Sequence, residues 1–333
     1  MTDAQQDPEG SARVLAGRNA TPDADPRFAH PRTLFFVIGA QKSGTTWLAH
    51  YLRNHSQVSL GEWKEYNYWN LVEGTAPPDR LIEGHRQKRL REGRLRTWTR
   101  QIGWQRQARR ERDITRAIAA CDDPRAPHSA YADAIMHGFG RGHLAAGEIC
   151  PQYANLSVET FRSMDDLNPN TRFVYVMRDP VARFASSVRH SLRNRHGEGA
   201  ITEELMREAV RKTANDATAT ATRLSRYDET IDRLEEAVPS ERVHLAFYER
   251  LFFAESIETL CTFLGLETHP APFEEKVHEG AAKHVRLAKE DEARLARSLR
   301  EVYAFARDRW GDDLPEPWRR SAELALSAGP PSR

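Results

Sequence analysis

The sequence predicts an α/β fold: a single domain with a mostly parallel central sheet flanked by helices. Three observations carry that expectation. Apolar runs of strand length at 34–38, 173–177 and 243–247 are each followed by a helix-periodic stretch. The first junction, between Ile38 and Thr45, is a loop of small residues, as at the opening of a nucleotide-binding α/β fold. The 333 residues, 39% hydrophobic and 29% charged, suffice to bury one large core and exclude wholesale disorder.

Residues 1–30 are polar, rich in Asp, Gly, Pro and Ala, and lack the apolar stretch of a signal peptide; they read as a disordered leader. The domain is expected over 31–320, with 321–333 and its Pro330-Pro331 pair as a tail. Leu34 to Ile38 is continuously apolar and ends at Gly39, the pattern of a strand buried on both faces. From Thr45 to Asn54, Trp47, Leu48, Tyr51 and Leu52 share one helical face. An Arg-rich helical insert follows at about 78–125; between Arg80 and Arg112, 12 Lys or Arg stand against 3 acids. Ala145 to Ile149 is a candidate further strand. Phe173 to Met177 is a buried strand, after which Asp179 offers an N-cap and Pro180 a first helical residue, with helix to Arg193. Residues 201–237 read as two helices, and 286–310 as one long charged helix. A helix around Ile257 to Leu264 is closed by Gly265.

The net charge of +1 gives no argument for nucleic acid or membrane as partner. Arg outnumbers Lys by 42 to 7, so each Lys is informative. Cys121, Cys150 and Cys261 are odd in number and show no metal-ligand spacing, so neither a disulfide framework nor a zinc site is expected and a reducing compartment fits. The run from Leu34 to Ala40 falls far short of the ~20 residues of a membrane span. A cytoplasmic location is expected.

Gly39-Ala40-Gln41-Lys42-Ser43-Gly44-Thr45-Thr46 lies between a buried strand and a helix start. Unpaired N–H groups of the first helical turn, together with the helix dipole, favour an anion there. The glycines let the backbone approach phosphate oxygens, Lys42 adds a mobile charge, and the Thr hydroxyls donate further bonds. A Walker A loop would place Lys directly after the second glycine, followed by Ser or Thr; here Lys42 precedes Gly44 by two. The loop is thus one for phosphate, but not an ATPase's.

Gln41 to Leu48 resembles the 5′-phosphosulfate loop of sulfotransferases that use 3′-phosphoadenosine 5′-phosphosulfate (PAPS). Arg178-Asp179-Pro180 through Ser186 resembles their 3′-phosphate motif. Gly147-Glu148-Ile149-Cys150-Pro151-Gln152-Tyr153 is similar to the family's Gly-Glu-x-Thr-Pro-x-Tyr segment, with Cys150 in place of Thr. Phe247 to Leu251, followed by Phe263 to Leu266, resembles its C-terminal signature. The matches run in order from about residue 33 to 310.

The resemblance implies a P-loop-like sulfotransferase fold and PAPS as donor, with PAP as product and no obligatory metal. It places Gln41, Lys42, Ser43, Gly44, Thr45 and Thr46 on the 5′ side and Arg178 and Ser186 on the 3′-phosphate. Lys283 and Arg286 are further candidates for that phosphate. Independently of the family, Arg178 ends a strand where open α/β sheets bind ligands, and an Arg can fork two bonds onto a phosphate. Trp47 has two readings, stacking on adenine or packing in the core. Cys150 reads as a small buried residue.

Trp63-Lys64-Glu65-Tyr66-Asn67-Tyr68-Trp69 resembles the Lys-Glu-x-x-aromatic stretch of glycan-type and bacterial members, whose Glu acts as base. The Lys-x-His-Leu-Pro motif of the mammalian cytosolic branch does not occur. The resemblance therefore implies Glu65 as general base and Lys64 as a second charge at the sulfuryl group, against the plainer reading of a solvated loop pair. His137 and His143 are weaker rivals. The Arg-rich stretch with Trp98 and Trp104 reads as a solvated helical face in preference to an acceptor grip.

The expected function is sulfuryl transfer from PAPS to an acceptor hydroxyl on a sugar, lipid or secondary metabolite. A P-loop small-molecule kinase is one alternative, weakened by the missing Gly-Lys-[Ser/Thr] order. A non-catalytic polyanion-binding protein on the same fold is another. Fold alone does not choose the acceptor.

Overall fold

The structure, a computed structural model, describes residues 24–61, 63–95, 102–274 and 287–327. Five parallel strands form one sheet: β1 (Thr33–Gly39), β2 (Val58–Ser59), β3 (Ala145–Ile149), β4 (Thr171–Met177) and β5 (Val243–Phe247). Their order is β2-β3-β1-β4-β5. Between β1 and β3 in the chain come α1 (Thr45–Arg53), α2 (Tyr68–Val72), α3 (Pro78–Leu95), α4 (Ile102–Asp122) and α5 (Ser129–Ile135). α6 (Val158–Asp165) precedes β4, and α7 (Pro180–His196), α8 (Glu203–Ala214), α9 (Thr220–Arg223) and α10 (Tyr227–Ala237) follow it. After β5 come α11 (Ala254–Leu264), α12 (Lys289–Ser298), α13 (Arg300–Trp310) and α14 (Glu316–Leu326).

β1 is buried along its whole length, as its unbroken apolar run requires. Its alternating side chains feed two cores. Leu34, Phe36 and Ile38 pack on one face with residues of α5, α6, α7, α10 and α14. Phe35 and Val37 pack on the other with Leu48 and Leu52 of α1 and Ile257, Leu260 and Leu264 of α11. The result is three layers, helix on sheet on helix.

The topology also fixes where a ligand can sit. β1 lies between β3 and β4, and its register pairs Val37 with Ile149 on one side and with Val174 on the other. From β1 the chain passes to β2 and β3 on one side and then crosses to β4 and β5 on the other, so the sheet order switches at β1. Crevices at the carboxyl ends of strands open at such a point. Gly39, Cys150 and Arg178 all stand at that edge.

Several boundaries differ from the sequence expectation. The leader does not extend to residue 30: Pro26–Ala29 is a turn of 3-10 helix with Asp25 as its cap and Phe28 fully buried. The tail does not begin at 321, because α14 runs to Leu326 and buries Trp318, Ala322 and Ala325. Residues 201–237 hold three helices; the Asp216 carboxylate accepts from the Thr218 amide and hydroxyl, and that turn follows the end of α8. The 286–310 stretch is broken at Leu299 (φ −108, ψ 22), where no Gly or Pro signals the end. There Ser298 Oγ donates to the Leu295 carbonyl, a local bond that competes with the helix. β2, two residues long, has no sequence signal at all.

Candidate active site

The 39–46 loop crosses from β1 to α1 with two residues in the left-handed region, Lys42 (φ 71) and Gly44 (φ 80). Gly44 is required twice over. A Cβ there would lie 2.9 Å from Leu251 Cδ2 and 3.1 Å from Tyr248 Cδ2, which roof the loop. Lys42 has no such excuse, and a strained non-glycine backbone of this kind is characteristic of a functional loop. Gly44 is the N-cap of α1 and supplies no side-chain cap, so the first-turn amides point into the loop without one. Ser43 is fully buried, and its hydroxyl has no hydrogen-bond partner among the described residues. An orphaned donor inside a cradle of uncapped amides fits an anionic group.

Cations surround the loop. Arg178 Nη1 donates to the Lys42 carbonyl at 3.1 Å, and its guanidinium lies 4.7 Å from the centre of the Tyr248 ring. Burial lowers the Lys42 ammonium below its ordinary pKa, and the charges of Arg193, Arg178 and Lys64 push it the same way, against Glu65. Lys64 Nζ donates to Thr46 Oγ1 at 3.0 Å and pairs with Glu65 Oε1 at 3.1 Å. The structure therefore brings Lys42, Thr46, Lys64 and Glu65 to one place, with Arg178 held to the loop backbone.

Asp179 does not pair with Arg178. Its carboxylate caps α7 through the Ala182 amide at 2.8 Å and accepts from Tyr303 OH at 2.8 Å. Burial pushes it up to about 6, against those two bonds. The Asp179 amide donates to Glu249 Oε1 at 2.9 Å, and Trp318 Nε1 donates to Glu249 Oε2 at 3.1 Å. A buried polar chain thus fixes the segment that aims Arg178.

The Lys64-Glu65 segment is held from several elements. The Glu65 amide donates to the Ile149 carbonyl of β3 at 3.1 Å. The Tyr66 amide donates to Glu148 Oε1 at 2.9 Å, and the Tyr66 carbonyl meets His85 Nε2 of α3 at 3.2 Å. The Trp63 amide reaches Asp113 Oδ2 of α4 at 3.4 Å. Two described anchors of the Arg-rich insert, His85 and Asp113, therefore bear on the Lys64-Glu65 segment.

The model of the Sulfotransferase family matches residues 35–270, from β1 past α11. The chain belongs to the sulfotransferase family. A crystal structure of a sulfotransferase from Alicyclobacillus acidocaldarius is similar in fold, with a TM-score of 0.55 at 20% identity, covering 88% of this chain and 100% of that one. The sulfotransferase domain of the Synechococcus PCC 7002 olefin synthase aligns with a TM-score of 0.45 at 15% identity, over 90% of this chain and 99% of that one. No curated protein sequence matches the chain.

Within this sulfotransferase fold the expected residues separate. Gln41 to Thr46, Arg178, Lys64 and Glu65 gather at the switch point. Ser186 is half-buried on α7, and it is its neighbour Ser187 whose hydroxyl reaches the loop, donating to Gln41 Oε1 at 3.1 Å. Trp47 is packed among rings of the same chain, as its core reading expects. It is 4% exposed, with the rings of Tyr51 and Phe273 lying nearly parallel to it at 6.0 and 5.9 Å. Lys283 and Arg286 lie outside the described residues. His143 is at the opposite end of β3, where its Nδ1 accepts from the Gly140 amide. His137 lines a separate cavity of about 480 Å³ with Arg27, Arg116 and Asp133. Among the described residues no helix is long and apolar enough to cross a membrane.

Sequence reasoning missed Tyr248, Ser187, Arg193 and Glu148. Tyr248 lies in the segment that resembles the C-terminal signature, but only the fold places its ring on both Gly44 and Arg178.

Proposed function

We propose that this sulfotransferase moves a sulfuryl group from PAPS, its donor substrate, to an acceptor hydroxyl, with Glu65 as general base. The observation that carries the reading is the Lys64–Glu65 pair, 3.1 Å apart, joined at 3.0 Å to the hydroxyl of Thr46 on the phosphate loop. A carboxylate and two ammonium groups beside a helix start are what in-line transfer from a phosphosulfate needs.

Ser43 Oγ, the first-turn amides of α1 and Lys42 would hold the 5′-phosphosulfate, and Arg178 the 3′-phosphate. Glu65 takes the proton of the acceptor hydroxyl as its oxygen forms a bond to sulfur. The sulfur–oxygen bond to the nucleotide phosphate breaks, and its electron pair stays on the phosphate oxygen. Lys42 and the amides stabilise that oxygen, while Lys64 faces the equatorial sulfuryl oxygens. The acceptor class remains that of small hydroxyl compounds or glycans, and a cytoplasmic setting accords with the cysteine usage.

Thermal shift separates this reading from the kinase alternative. PAP is expected to raise the melting temperature through mass action, with ATP–magnesium giving no comparable rise. A rise with ATP–magnesium alone would overturn it.

A further inference from the structure

The carboxylate of Glu148 is one of the least expected groups in the molecule. It sits on β3 opposite Phe36, is 1% exposed, and has no cationic partner among the described residues. A buried, unpaired carboxylate is costly unless hydrogen bonds replace its water. Three do so. Oε2 accepts from Tyr131 OH of α5 at 2.5 Å and from Tyr153 OH at 2.9 Å, and Oε1 accepts from the Tyr66 amide at 2.9 Å.

The Tyr66 amide is the informative partner, because it follows Glu65 directly. Glu65 (φ 66) and Asn67 (φ 57) both adopt left-handed backbone without being glycine. Such a turn persists only where its surroundings over-determine it. Here β3 grips it twice in succession, through the Ile149 carbonyl on the Glu65 amide and the Glu148 carboxylate on the Tyr66 amide. Tyr153 OH extends the grip by accepting from the Trp69 amide of α2 at 3.3 Å. Replacing the carboxylate by an apolar side chain would remove one of the two.

We propose that Glu148 is the positioning residue of the base turn: its buried carboxylate fixes the left-handed conformation at Glu65 through the Tyr66 amide. The catalytic half of this statement rests on the assignment of Glu65 as base; the structural half does not.

The hold carries a pH dependence. Tyr66, Tyr131 and Tyr153 face the carboxylate as donors, and Glu65, Cys150 and Cys121 are the other titratable groups around it. Beyond Tyr66 lie Asp113, Arg116 and Arg53. Burial pushes Glu148 up to about 7, against the three hydrogen bonds, and the charge of Glu65 adds to the rise. Protonation relieves the buried charge but weakens its bond to the Tyr66 amide, so the turn loosens as pH falls below that value. Glu148→Gln keeps an acceptor oxygen without a proton to gain.

The test is residue-resolved hydrogen exchange of the full chain between pH 6 and 8, corrected for intrinsic rates, beside PAPS hydrolysis with water as acceptor. In Glu148→Ala the Tyr66 amide is expected to exchange at least about tenfold faster while the β1 amides are unchanged. In the native protein its protection should fall toward pH 6, and in Glu148→Gln it should not. Tyr153→Phe, which removes one donor to the charged form, should move the native transition to higher pH and serves if the Ala variant does not fold. PAPS hydrolysis should lose kcat in Glu148→Ala with PAP affinity within a few-fold. Tyr66 exchange that is identical in the native, Gln and Tyr153→Phe proteins at every pH overturns the proposal. If Glu65→Gln turns over as fast as the native protein, the Glu65 assignment fails, and the exchange rates alone still decide the role of Glu148.

Discussion

Two left-handed turns face each other across the site, and they are built in different ways. The Lys42 turn belongs to a contiguous strand–loop–helix, and β1, the α1 start and the Tyr248–Leu251 roof hold its backbone. The Glu65 turn has no regular element of its own. Hydrogen bonds from β3, α3, α4 and a buried carboxylate shape it instead. On the proposed reading the first is a local device for binding an anion, and the second a long-range device for aiming a proton acceptor. Binding and proton transfer should therefore be separable by substitution.

The largest expected effect is at Glu65, the proposed base. Glu65→Gln should lower turnover by about 10²–10⁴-fold, the usual worth of a general base, with PAP affinity nearly intact. Steady-state kinetics beside calorimetry checks this, and a matched loss of affinity would merge the two halves. Lys42→Ala should lower kcat/KM by at least ~10²-fold, the scale of one lost oxyanion-type donor. Near-native turnover in that variant would remove the loop from the chemistry.

Arg178→Ala should weaken PAP by about 10–150-fold, equivalent to ~1.5–3 kcal/mol for a lost charge-assisted partner. The analogue without the 3′-phosphate should suffer far less. Equal losses would leave Arg178 only its bond to the Lys42 carbonyl.

The smallest effect separates the halves by pH. Asp179 beside the loop rises from 3.8 to about 6, and Glu148 beside the Glu65 turn from 4.5 to about 7. A carboxyl raised in the folded state keeps a proton that the unfolded chain has released. It stabilises at low pH, and that contribution is lost as pH rises through the window. Denaturation between pH 4 and 7 should show a decline on the order of 1–3 kcal/mol per group. Glu148→Gln should flatten the upper part of that decline, and unchanged slopes would mean the carboxyl titrates elsewhere.

The same contrast explains what could be read in advance. The strand–loop–helix at 33–53 is legible because its glycines, Lys42 and both flanking elements are neighbours in sequence. The sheet is legible where strands are long and apolar, as at β1 and β4, and not at the two-residue β2. Trp47 was ambiguous because a helix face does not say whether its neighbours are rings of the same chain. Glu148 lies in the Gly147–Tyr153 segment, yet its partner Tyr66 is 82 residues away. No spacing rule links the two. The breaks at Asp216 and Leu299 depend on side-chain bonds to backbone that mimic, and so hide within, a helical pattern.

The most direct test of the central claim is transfer of labelled sulfur from PAPS by the native protein to a panel of sugar, lipid and aromatic hydroxyl acceptors. Label is expected on at least one acceptor hydroxyl, with one PAP released per sulfate transferred. No labelled product and no PAP binding, with the melting temperature raised only by ATP–magnesium, would contradict it.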